Sequence, residues 1–94
     1  MKRICKYELP IRGGEKLDLE LPQGASIVHV ERQNDIPCMW VLFTPGTRKP
    51  FATERRRFYL VGTGDWPMPD TWEYRATWQE PPFVWHLFEE KIRT

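Results

Sequence analysis

Arg48, Lys49, Arg55, Arg56 and Arg57 crowd one short stretch of the chain. A tryptophan, Trp66, follows in a loop stiffened by Pro67 and Pro69. These residue types do a recognisable chemistry. Guanidinium forks bind phosphate or carboxylate through paired hydrogen bonds. A rigid aromatic ring beside them offers a face on which a nucleobase stacks, or an anchor for a protein interface. On a strand Arg55 and Arg57 share one face while Arg56 points to the other. One set therefore faces the interior and requires a partner there. This pattern predicts a ligand site for a small anion, such as a nucleotide, made by Arg48, Lys49, Arg55 and Arg57 with Trp66 stacking nearby. The competing reading is a solvated edge on which the same arginines pair with Glu73, Glu80 or Glu89 of the acidic C-terminal third.

Other residues offer less. His29 and His86 each sit between apolar neighbours, with no carboxylate or nucleophile at a telling spacing, and read as partly buried, satisfied imidazoles. Cys5 and Cys38 form no CxxC and stand at no metal-ligand spacing from a histidine, so they read as buried free thiols. The GTGD of residues 62–65 is no phosphate-cradling loop. Such a loop opens a helix whose N-terminus faces the phosphate, and Trp66-Pro67-Met68-Pro69 forbids one. No catalytic residue, metal site or cofactor is expected, and the chain reads as non-enzymatic.

The elements that position these residues are strands. Residues 15–21 (EKLDLEL) alternate strictly, with Leu17, Leu19 and Leu21 on one face. Residues 3–9 alternate likewise, and Gly13-Gly14 between the two predicts a hairpin. SIVHVERQ is strand-like, Asn34-Asp35 is a turn, and IPCMWVLFTP reads as a central strand buried on both faces. A polar loop over 45–54 precedes RRRFYLVGTG. WEYRATWQ places Trp72, Tyr74, Ala76 and Trp78 on one face, and FVWHLFEEK closes the set, with at most one helical turn in the final EEKIRT. Seven strands separated by turn signals predict an all-β fold, an antiparallel β-sandwich or small barrel. The predicted core is Leu17, Leu19, Val28, Val30, Trp40, Leu42, Phe58 and Trp85.

With 94 residues the chain makes a single domain. Its net charge of +1 is no global footprint for nucleic acid or a membrane surface. The opening MKRICKYELP lacks the apolar run of a signal peptide, and no segment reaches transmembrane length, so a cytoplasmic protein is expected. Five tryptophans in so short a chain exceed what a small core easily encloses, which predicts a homo-oligomer.

Several segments in series carry a family likeness: Arg3, Ile4, Lys6 and Tyr7 at the start, LPQGASIVHVERQN over 21–34, PCMWVLF over 37–43, GTG over 62–64, YRATWQ over 74–79 and FVWHLFE over 83–89. Together they cover nearly the whole chain. It resembles a family of small uncharacterised proteins of tailed phages and prophages. In that family the GTG is followed by His, where this chain has Asp65, so no catalytic loop histidine is implied. The resemblance brings no established activity. It implies a phage setting, in the host cytoplasm, with host-takeover or counter-defence roles. Within that setting two functions are expected to compete. One is sequestration of a small anionic nucleotide; the other is inhibition or assistance of a host protein through an exposed aromatic and acidic surface.

Overall fold

In a computed structural model, which describes residues 1–47 and 50–90, Asn34 and Asp35 both take left-handed backbone angles (φ 49° and 67°). They close a two-residue turn between strands that pair at Gln33 and Ile36. Asn and Asp tolerate this conformation, and such turns match the twist of a hairpin. The described residues form seven strands: β1 (Arg3–Glu8), β2 (Lys16–Pro22), β3 (Ser26–Gln33), β4 (Ile36–Phe43), β5 (Thr53–Gly62), β6 (Glu73–Glu80) and β7 (Phe83–Glu90). They build two antiparallel sheets, β1-β4-β3 and β2-β5-β7-β6, stacked as a sandwich. No helix forms among the described residues, and none is long and apolar enough to cross a membrane. Glu89 and Glu90 continue β7; residues 91–94 of the expected helical turn lie outside the described residues.

The connection through Gly13-Gly14 is not a hairpin. β1 pairs with β4 and β2 with β5, so the chain crosses there from one sheet to the other. A glycine is needed because the Trp85 ring packs directly on Gly13, where a Cβ would run into it. Between the sheets lie Leu9, Leu21, Met39, Val41, Phe43, Phe58, Leu60 and Leu87, all buried. Arg32 spans the open side of the sandwich, its guanidinium 3.8 Å from Glu80 on β6.

Of the expected core, Phe58 is fully buried, and Leu17, Leu19, Val30 and Trp85 pack partly buried against the same cluster. Val28 is 49% exposed. A β-bulge between Ile27 and His29 takes it out of the alternation and onto the solvent side. Trp40 and Leu42 are half-buried, on the face of β4 opposite to Met39, Val41 and Phe43. β4 is central, yet among the described residues no further layer packs on its outer side, because its three-stranded sheet ends a two-layer stack. His29 lies on that outer side and is exposed, its ring tilted against Trp40 at 5.6 Å between centroids. Cys5 and Cys38 are free thiols. They project from opposite faces of this sheet, since Cys5 pairs in register with Val41. Cys38 is buried on the outer side, where Lys6 donates a hydrogen bond to Gln33 across β4 at its level (3.1 Å).

Candidate functional site

The arginines separate as strand geometry requires. Arg56 turns inward from β5 and is buried. Its guanidinium grips the Glu89 carboxylate in a fork, with Nη2 to Oε1 at 2.8 Å, and donates from Nη1 to the Ala25 carbonyl. Arg75 donates to the same carboxylate (2.9 Å) and to Glu73 (2.9 Å). Burial alone would push the Glu89 carboxyl up. The hydrogen bonds and charges of Arg56 and Arg75 outweigh it and hold the group below the usual carboxylate range. The Arg56–Glu89 pair lies inside the sandwich and is not open to a ligand, and Arg75 links it to the exposed Glu73 at the surface.

Arg55 and Arg57 face outward on the four-stranded sheet, side by side as expected. Both already have carboxylates. Arg57 forks onto Asp18 of β2 (2.7 and 3.1 Å) and stands 3.8 Å from Glu90. That hydrogen-bonded fork holds the Asp18 carboxyl below its ordinary value. Arg55 stands 3.9 Å from Glu20, which also accepts from the Thr53 hydroxyl. The partners come from β2 and from Glu90, not from Glu73, Glu80 or Glu89, because register sets β2 and β7 on either side of β5. Arg48 and Lys49 lie outside the described residues.

Trp66 is 82% exposed. Its loop, after β5, closes over the same outer face and forms a cleft of about 330 Å³. Tyr59, Trp66, Met68 and Trp72 line it, with Glu15 and Asp65. Tyr59 and Trp72 stack at 3.8 Å, nearly parallel. Glu90 holds that pair in place, accepting from the Tyr59 hydroxyl (3.0 Å) and the Trp72 indole N–H (3.2 Å). Asp65 caps the turn that starts the loop by accepting from the Gly62 N–H (2.8 Å). A Cβ at residue 62 would meet that carboxylate. The expected site is thus divided. Trp66 belongs to an aromatic cleft, and Arg57 stands beside that cleft, two residues from Tyr59 on one face, committed to Asp18.

Tyr59 and Trp72 escape a reading of the sequence for different reasons. Alternation places Tyr59 on the face of Arg55 and Arg57, but the residues alone leave open which face of 54–61 is buried. Trp72 is misplaced because a bulge between Tyr74 and Ala76 switches the face of β6. Ala76 and Trp78 point inward, whereas Tyr74 is exposed. The bulge residue, Arg75, is the one that reaches Glu89.

His86 lies on this outer face too. Its Nε2 is 2.7 Å from the Thr63 hydroxyl and its Nδ1 2.9 Å from that of Thr77, which meets the Tyr74 hydroxyl at 2.7 Å. A hydroxyl beside an imidazole resembles a nucleophile and its base. Here, though, the second nitrogen meets a neutral hydroxyl where a triad has a carboxylate to stabilise the imidazolium. The row gives each ring nitrogen of His86 a hydroxyl partner. Among the described residues no three His, Cys, Asp or Glu side chains gather closely enough to hold a metal ion.

Fold and cleft together define a small two-sheet β-sandwich with an aromatic groove on one outer face. The chain belongs to the DUF7352 family, a domain of unknown function, which matches residues 1–94. No curated protein and no solved structure matches it.

Proposed function

We propose that the protein is a non-catalytic binding protein that recognises a protein partner through the aromatic cleft on its four-stranded sheet. One observation carries this reading. Trp66 stands exposed on a proline-braced loop opposite the stacked Tyr59–Trp72 pair, while the arginines of the same face are already matched by Asp18, Glu20 and Glu90. Rigid aromatics around a concavity are the usual anchors of interfaces. An exposed tryptophan contributes little to the fold that displays it. The phage setting implied by the sequence resemblance fits inhibition or assistance of a host protein in the host cytoplasm.

Sequestration of a small anionic nucleotide is the second reading. It is favoured by the position of Arg57 beside Tyr59, so that guanidinium and ring edge are contiguous. It requires Asp18 and Glu90 to give up Arg57. The two readings separate on one pair of variants. Under the first, Trp66→Ala loses a partner that the parent chain retains from host extract, with the melting temperature unchanged, and the purified parent carries no nucleotide. Under the second, the parent co-purifies with material absorbing as a nucleobase, and Arg55→Glu/Arg57→Glu releases it. Retention of the same partners by Trp66→Ala and parent alike overturns the first.

A further inference from the structure

We infer that the cleft receives a cationic side chain, arginine or lysine, from a basic segment of the partner. This rests on the proposed protein-binding reading and adds the chemistry of the occupant. The walls of the cleft are π-surfaces and a thioether: Tyr59, Trp66, Trp72 and Met68. The charged side chains that line it are Glu15 and Asp65, and among the described residues no cation lines it. Aromatic faces carry negative quadrupoles that attract ammonium and guanidinium groups, and carboxylates beside them add to that attraction. A phosphate placed here would face two carboxylates.

Both carboxylates are held in place by the backbone. Glu15 accepts from the Arg12 N–H through Oε1 (2.9 Å), and Asp65 from the Gly62 N–H through Oδ2 (2.8 Å). Each keeps a second oxygen, and among the described residues neither forms an ion pair. The nearby cation Arg57 is matched by Asp18 and Glu90; Lys16, level with Tyr59 on β2, lies outside the lining. The cleft's volume of about 330 Å³ is at the lower end of ligand sites (about 300–1,000 Å³), room enough for a long side chain with its flanking backbone. Preformed aromatic walls with carboxylates already oriented reduce the ordering cost of binding.

The test uses the full chain and three probes: acetyl-Gly-Arg-Gly-amide, the same peptide with neutral citrulline for arginine, and adenosine monophosphate. Binding is followed through the indole N–H resonances of Trp66 and Trp72. The arginine peptide is expected to shift both saturably, with the citrulline peptide at least about tenfold weaker and binding reduced by added salt. Glu15→Gln and Asp65→Asn each keep an amide oxygen for the backbone N–H they accept. They should weaken the arginine peptide and leave the citrulline peptide and the melting temperature unchanged. Equal affinity for the arginine and citrulline peptides overturns the cationic occupant while the protein-binding reading stands. Saturable binding of the nucleotide with neither peptide bound overturns both. If no probe binds, the cationic occupant is overturned, and the partner-retention experiment with Trp66→Ala decides the broader reading by itself.

Discussion

Arg56 and Glu89 show what a buried charge requires. Each is almost wholly out of water, and each is stable there because the other, with Arg75 and the Ala25 carbonyl, satisfies it. Glu89→Gln would leave two guanidiniums around a neutral amide and is expected to lower stability by about 3–5 kcal/mol, the usual cost of breaking a buried pair; urea unfolding measures it. The same carboxylate sets an acid limit. Its folded-state pKa lies below the unfolded one, so its contribution is complete above the ordinary carboxylate range and is lost as pH falls through the folded value. The parent chain should therefore lose stability on acidification more steeply than Glu89→Gln, which has no proton to bind at that position. Parallel slopes for the two proteins would assign the acid sensitivity to other groups.

At the level of elements, the turns and bulges decide which side chains meet. The β3–β4 turn places Asp35 at φ 67°, a conformation that only glycine adopts without cost. Asp35→Gly is expected to raise stability by up to about 1 kcal/mol, read as a higher urea midpoint with unchanged slope. The crossing from sheet to sheet makes the opposite demand. Gly13→Ala must displace the Trp85 ring and should destabilise by about 1–3 kcal/mol, the range for overpacking. A neutral Gly13→Ala would mean that the ring moves aside freely. The inner and outer faces of the sheets provide a further comparison. Phe58→Ala, between the sheets, should cost about 3–5 kcal/mol, and Trp40→Ala, on the outer side of its sheet, clearly less.

Over the whole molecule, the two outer faces differ in character. The four-stranded sheet presents the aromatic cleft beside matched charge pairs. The three-stranded sheet presents Ile4, Val28, Trp40 and Leu42, of which Ile4 and Val28 are well exposed. Self-association, expected from the aromatic content, is tested by sedimentation at micromolar concentration: an oligomer that Val28→Glu dissociates is the expected outcome, and a monomer throughout refutes it. Because the cleft lies on the other sheet, Val28→Glu should leave peptide binding there unchanged.

The all-β class, the strands and the sharing of one strand face by Arg55 and Arg57 were legible in the residues, because period-two alternation and turn chemistry are local properties of the chain. Phe58 in the core and an exposed Trp66 follow from the same local rules. What the residues alone did not settle is which strand pairs with which. The Gly13-Gly14 turn reads locally as a hairpin, yet burying Leu9 and Leu21 between two sheets sends β1 and β2 to different layers. The bulges at Val28 and Arg75 leave no mark in the alternation, and each moves neighbouring side chains to the opposite face. Trp72 thereby joins Tyr59 outside the core. The partners of the arginines, and the separation of Arg57 from the cleft that Trp66 helps form, depend on cross-strand register. Register is decided by the packing of residues far apart in the chain, and only the tertiary structure contains it.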